Sequence, residues 1–147
     1  MTSKFLSHIL AFAVIVLCHH RGNAQHLIVS SEIEKNVAGL HYGASLSIES
    51  KKKFSVGGFY QCGIRQVEGN VKPTRTFYAL QLQFPLLTCD KIAILLNTKT
   101  GFVNDDYFLF VPAIMTNIQL SPALGVSIGS GLRMQNASLI GRLYLTL

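Results

Sequence analysis

The sequence predicts an all-β chain that closes into an antiparallel up-and-down transmembrane β-barrel of about eight strands. The first observation is alternation, which puts one apolar and one polar face on each strand. The closing stretch Ala137–Leu147 shows it most clearly: apolar Ala137, Leu139, Leu143, Leu145 and Leu147 alternate with Ser138, Arg142, Tyr144 and Thr146. The second is composition. Of the 147 residues, 49% are hydrophobic and 14% are charged, against about 25% charged in typical soluble domains. High hydropathy without a long apolar run is typical of alternating membrane strands.

The first 24 residues predict a cleaved signal peptide rather than part of the fold. Lys4 precedes an apolar core at Ile9–Cys18, and Gly22-Asn23-Ala24 supplies the small residues of a cleavage site. The core is half the roughly 20 residues that a membrane-spanning helix needs. We therefore expect export, cleavage near Ala24 and a barrel domain over residues 25–147. Cys18 follows Leu17 rather than a small residue, so lipidation there is not expected.

The expected mature chain of 123 residues (147 minus 24) is long enough for one domain. Without Lys4 and Arg21 it carries 11 basic and 7 acidic residues, a net charge of +4 that is scattered along the chain. No basic stripe interleaved with aromatic residues supports nucleic-acid binding.

Cys62 and Cys89 fall at opposite ends of the predicted barrel, so they are expected to be free rather than bridged.

Eight strands can be assigned in the mature chain from the alternation and the turn residues between them. They are His26–Ile33, Leu40–Glu49, Phe54–Arg65, Arg75–Phe84, Lys91–Lys99, Tyr107–Ile118, Ala123–Arg133 and Ala137–Leu147. Tight turns are expected at Ser50–Lys53, Pro85–Asp90 and Ser121-Pro122. Short loops are expected at Glu34–Gly39, Gln66–Thr74, Gly101–Asp106 and Met134–Asn136. A strand of ten residues tilted near 45° climbs roughly 23 Å, close to the apolar height of an outer-membrane barrel.

The apolar faces are predicted to contact lipid. From Leu40 onward they contain no Lys, Arg, Asp or Glu, and a charge at mid-depth would cost about 2–4 kcal/mol. Aromatic residues collect near strand ends, as in interfacial girdles: Tyr42, Tyr60, Tyr78 and Phe108 towards the loops, Phe54 and Phe84 towards the other end. The alternative is a soluble exported lipocalin-like barrel with its apolar face inward around a lipophilic ligand. The Gly/Ser/Gln face is poor in charge for a soluble surface, which favours the membrane barrel.

The stretch Tyr107–Met115 departs from this pattern. Its interior positions are mostly apolar, and Pro112 removes a ladder donor in mid-strand. Either a bulge at Pro112 or an interior filled by apolar packing is expected.

Together the export signal, the eight alternating strands, the short turns and the apolar last strand resemble the small eight-stranded bacterial outer-membrane β-barrel family. The resemblance covers roughly residues 25–147 and is one of pattern. It implies a Gram-negative outer-membrane location, outer-membrane lipid and the barrel-assembly machinery as partners, and a monomer. In that family the last strand usually ends in an aromatic residue, whereas Leu147 stands here.

Some such barrels are lipid-modifying enzymes, so a Ser/His/acid set was sought. His41, Ser45 and Glu49 share one predicted interior face. Residues four apart in a strand are about 13 Å apart, far beyond the ~3 Å of a nucleophile–base hydrogen bond. A triad within this strand is excluded, and one completed from other strands stays open. Solvated interior side chains are the favoured interpretation.

The remaining polar residues predict structural roles. Glu32, Glu49, Arg133 and Arg142 are candidates for interior ion pairs that brace the barrel. Lys51–Lys53 predicts a solvated turn, and Asp105-Asp106 predicts a plain loop with too few ligands for calcium. Asn136-Ala137-Ser138 matches a glycosylation sequon, which has no meaning in a bacterial barrel.

No catalytic, cofactor or metal residues are expected. The sequence predicts a non-enzymatic barrel with a structural or surface-interaction role; the lipocalin-like binder and the barrel enzyme are the alternatives.

Overall fold

The computed structural model describes residues 24–37, 39–67 and 70–147, and the side chains of residues 26–37, 39–63 and 76–147. The predicted signal peptide, apart from Ala24, and Cys18 with it, lie outside the described residues. No helix in this part of the chain is long and apolar enough to cross a membrane.

Eight antiparallel strands close into one barrel, each paired with its sequence neighbours and the first paired with the last. They are β1 (Ala24–Asn36), β2 (Gly39–Ser50), β3 (Ser55–Val67), β4 (Asn70–Cys89), β5 (Ile92–Val103), β6 (Tyr107–Gln119), β7 (Leu124–Arg133) and β8 (Asn136–Thr146). The predicted fold class and strand count are therefore confirmed.

The pairing register sets the tilt of the barrel. A path that starts at Glu34 on β1 and follows the paired residues once around the barrel returns to β1 at position 24, with the regular pairing extended past the ends of β3 and β2. The stagger of the barrel is therefore ten residues (34 minus 24). Eight strands with this stagger tilt by about 40° to the barrel axis. Because a β-strand is pleated, alternate residues face inward or outward away from the register shifts, and this alternation positions the side chains discussed below.

The predicted loops were too long. Glu34 lies inside β1. The strand β3 runs to Val67, and β4 begins at Asn70. The strand β5 continues to Val103, and β8 begins at Asn136. Residues 68 and 69 lie outside the described residues. Met134 and Gln135 form a two-residue hairpin turn with φ of 50° and 67°, the left-handed conformation that matches strand twist. Glu34 shows one cause of the overestimate, because this polar residue was assigned to a loop and is a buried strand residue.

The two proline regions differ from expectation in opposite ways. The predicted turn at Pro85–Asp90 is wrong, since β4 continues to Cys89 with a register shift between Pro85 and Leu87. At Pro112 no bulge forms, and the β5–β6 register runs unbroken through the pair Thr98↔Pro112. Pro112 lies immediately outside the β6–β7 ladder, which begins at Ala113↔Gly131, and proline is tolerated at such an edge. The predicted apolar packing of the interior is the alternative that the structure shows.

Candidate functional site

The centre of the barrel holds an ionic network built on the Glu32 carboxylate. Lys99 lies on β5, on the opposite side of the barrel from Glu32, and its Nζ donates a hydrogen bond to Glu32 Oε1. Arg142 Nη2 and Nε on neighbouring β8 reach Glu32 Oε2 at 3.1 and 3.3 Å. Glu32 and Lys99 are only 2% and 1% exposed. The network therefore links β1, β5 and β8 across the interior.

Neighbouring groups complete the surroundings of the two cations. Lys99 Nζ lies 4.1 Å from the centroid of the Phe59 ring, a contact in which the ring face attracts the cation. With the Gln81 amide turned so that its oxygen faces donors, Gln81 Oε1 accepts a hydrogen bond from Arg142 Nη2 at 2.9 Å. Buried charges persist only where such partners replace water.

The β1–β2, β3–β4, β5–β6 and β7–β8 hairpins all turn at one end of the barrel, which is here called the hairpin end. A second network lies towards this end. Glu34 Oε2 accepts hydrogen bonds from Gln61 Nε2 at 2.9 Å and from Arg133 Nη1 at 3.2 Å. Arg133 also donates to Gln61 Oε1, and its guanidinium lies 5.2 Å from the Phe77 ring centroid. This network joins β1, β3 and β7.

Apolar side chains fill the space between these networks. Two buried clusters face the interior: Phe59, Phe77, Val103, Leu109 and Val111 in one, and Leu95, Ala113, Met115 and Ile140 in the other. Met115 and Ile140 have no exposed surface. The described interior is thus a packed core with ionic crosslinks, as expected for a barrel of eight strands.

The predicted interior residues of β2 do point inward, but the structure gives each a different partner. Ser45 Oγ lies 2.7 Å from Ser30 Oγ, His41 Nε2 lies 3.3 Å from Asn36 Oδ1, and Glu49 Oε1 accepts from Lys53 Nζ at 2.9 Å. Among the described residues, no group of three or more His, Cys, Asp or Glu side chains is arranged to hold a metal ion.

Prediction of the ion pairs succeeded in part. Glu32, Arg133 and Arg142 are buried and paired as expected. Glu49 pairs instead with Lys53 in the following turn, so its expected place in the interior network is wrong. Glu34 and Lys99 were missed as interior partners, although alternation alone places Glu34 beside Glu32 and Lys99 beside Asn97. The sequence could not show which strand each charge would reach.

The outer surface carries the opposite chemistry. Its large exposed residues are mostly aliphatic, among them Leu46, Leu80, Ile114, Ile128, Leu139 and Leu143. Among the strand residues whose side chains the structure describes, Lys35 near the hairpin end is the one charged residue on this face. Pro112, Cys62 and several threonines also lie outward. An apolar belt therefore surrounds the described barrel, as the alternation predicted.

Aromatic residues concentrate on the outer face near the hairpin end, as predicted. Tyr60, Tyr78, Phe102 and Phe108 are direct neighbours in the ladder from β3 to β6. The Tyr60–Tyr78 ring centroids are 5.1 Å apart, and the Phe102–Phe108 centroids are 5.7 Å apart. At the other end Phe54 and Phe84 pack with centroids 4.9 Å apart. Aromatic belts of this kind lie at membrane–water interfaces.

The exposure predicted for the charged turn residues is confirmed. Cys62 is half-buried on the outer face and Cys89 is exposed, and both are free. Lys51, Lys52, Lys53, Asp105 and Asp106 are exposed in turns. Asn136 is exposed, whereas Ser138 of the same sequon is buried in the interior.

Comparison with known proteins identifies the fold. No protein-family model matches the chain, and no curated protein matches its sequence. A de novo designed transmembrane β-barrel superimposes with a TM-score of 0.68 at 8% identity, covering 84% of this chain and 99% of that one. The solution structure of the designed barrel TMB2.3 gives 0.66 at 9% identity, covering 85% and 95%. Neisserial surface protein A gives 0.41 at 9% identity, covering 82% and 94%. The chain thus has the eight-stranded fold of transmembrane β-barrels.

Proposed function

We propose that the chain is an integral outer-membrane protein whose closed barrel serves a structural or surface-interaction role without a catalytic centre. The apolar belt carries this proposal. A face rich in exposed Leu, Ile and Phe, without charge in the middle of any described strand, favours contact with acyl chains. The lipocalin-like alternative requires an apolar interior and a polar exterior, whereas the described exterior is apolar and the described interior combines polar networks with apolar clusters.

The interior supports a role without solute transport. Its centre is occupied by the Glu32–Lys99–Arg142 network and by buried Met115 and Ile140. The proposed function therefore resides on the outer surface, in contact with lipid, and on the hairpins, which would present short segments to a partner.

The β3–β4 hairpin extends furthest beyond its neighbours. Its strands pair as far as Val67↔Asn70, whereas β2 stops pairing with β3 at Leu40↔Ile64 and β5 stops pairing with β4 at Phe77↔Val103. This hairpin is the best candidate for a contact with a partner outside the membrane. Every described strand pairs within one chain, which supports a monomer as the proposed form. We also propose that the barrel-assembly machinery delivers this monomer to the membrane.

Cell fractionation tests the proposal. The native protein should remain with outer membranes after alkaline and urea washes, and its gel mobility in detergent should change only after boiling, because a closed barrel resists unfolding by detergent. Release into the soluble fraction without a mobility shift would contradict it. A lipid-hydrolysing activity that is lost in His41→Ala but kept in Lys53→Gln would contradict the non-catalytic part of the proposal alone.

A further inference from the structure

The end of the barrel opposite the hairpin end, here called the terminal rim, is positively charged on one side. Its turns carry Lys51, Lys52, Lys53 and Lys91 against Glu49 and Asp90. Glu49 is paired with Lys53. Among the described residues, Lys51, Lys52 and Lys91 have no carboxylate within ion-pair distance. All four lysines lie in two successive turns, β2–β3 and β4–β5, whereas the β6–β7 turn has no charged residue.

A groove of about 340 Å³ adjoins this charged side. It is lined by Lys91, Gln119, Leu120, Ser121 and Pro122. Two hydrogen bonds hold its walls: the Gln119 backbone N–H donates to the Lys91 carbonyl at 2.8 Å, and the Leu124 backbone N–H donates to the Ser121 side-chain Oγ at 3.1 Å. The groove therefore combines an ammonium, an amide and a hydroxyl with apolar walls from Leu120 and Pro122.

Both the groove and the lysine turns directly border the apolar belt. Ile92, which follows Lys91, and Leu120 are more than half exposed. Phe54, which follows Lys53, packs on Phe84 at the outer face. Lysines beside such a boundary extend their charged ends towards lipid headgroups while their methylene chains lie along the apolar surface.

We infer that this side of the terminal rim is a binding surface for anionic phospholipid headgroups, with Lys91 and its groove as the centre and Lys51 and Lys52 beside it. Charge complementarity with a phosphate and contact with an acyl chain at the same boundary select a phospholipid of the adjoining leaflet as the occupant. The inference rests on the proposed membrane location, and it adds a lipid class and a side of the barrel.

Mass spectrometry of the folded full chain released from nanodiscs of equal phosphatidylglycerol and phosphatidylcholine tests this inference. We expect the wild type to retain phosphatidylglycerol over phosphatidylcholine by well over fivefold, because each of the three lysines near an anionic surface contributes roughly a factor of five. The single variant Lys91→Gln should lower the ratio severalfold, and the triple variant Lys51→Gln/Lys52→Gln/Lys91→Gln should bring it near one. Lys35→Gln, the matched change at the hairpin end, should keep the wild-type ratio.

A wild type that inserts into nanodiscs but retains both lipids equally would overturn the inference, as would a preference that survives in the triple variant. Lysine-dependent binding of soluble polyglutamate without lipid preference would also overturn it by assigning the rim to an acidic polymer. Failure to insert into nanodiscs at all would contradict the proposed function instead. Gel mobility with and without boiling confirms that each variant is folded.

Discussion

At the scale of single residues, the barrel interior depends on charges that have lost their water. Glu32 is shared by Lys99 and Arg142, and the partners come from strands on both sides of the interior. Removing one member of such a group is costly, because the remaining charges stay buried without compensation. The pair of Glu49 and Lys53 lies at the end of the barrel, where the Lys53 side chain is 55% exposed, so water takes the place of the lysine when Lys53 is removed.

Glu32→Gln should therefore destabilise the barrel by about 3–5 kcal/mol. Lys53→Gln, which removes the pair at the end of the barrel by changing its exposed member, should change the free energy of unfolding by less than about 1 kcal/mol. Urea unfolding of both variants in lipid vesicles measures the difference. Equal losses in the two variants would show that Glu32 is solvated rather than buried.

At the scale of strands, close backbone contact decides where side chains are tolerated. Adjacent glycines of β3 show this. A Cβ at Gly57, on the inner face, would lie 2.2 Å from the Leu46 carbonyl oxygen and 2.4 Å from Ser47 Cβ, whereas a Cβ at Gly58, on the outer face, would meet nothing within 4 Å. The two positions share a strand and differ only in the face they present.

We expect Gly57→Ala to destabilise the barrel by about 1–3 kcal/mol, because the β2 backbone would have to move. Gly58→Ala should leave stability unchanged or raise it by up to about 1 kcal/mol, since alanine costs less conformational entropy in a strand than glycine. Urea midpoints of the two variants in the same vesicles test the pair. A loss in Gly58→Ala as large as in Gly57→Ala would contradict the register described for β2 and β3.

The strands also show which structural properties can be predicted from the sequence. Alternation of period two predicts the facing of residues as far apart as Tyr42 and Arg142, because facing is a local property. The predicted strands were too short at the hairpin end, since Glu34 and Lys72 look like loop residues until their pairing partners are known. The contact of Glu32 with Lys99 depends on the stagger of the whole barrel. That stagger is set by all eight ladders together, and no local pattern in the sequence reports it.

At the scale of the whole molecule, the packed interior predicts a closed barrel. Phe77, Val111, Met115 and Ile140 together with the two ionic networks occupy its described cross-section. Planar bilayers containing the folded wild type should show no stepwise ion current. A steady conductance that grows with salt concentration would contradict the packing of the interior while leaving the facing of the outer surface intact.

In the proposed membrane barrel, the apolar face of each strand contacts lipid and the polar face lines the interior. The chain contains no tryptophan, so a single introduced tryptophan reports one position. Leu143 faces outward and its neighbour Tyr144 faces the interior, where it is half-buried. The decisive measurement is quenching of Leu143→Trp and Tyr144→Trp fluorescence by lipids brominated on their acyl chains. The structure predicts strong quenching of Leu143→Trp and weak quenching of Tyr144→Trp. Equal or reversed quenching would contradict the facing on which the account depends.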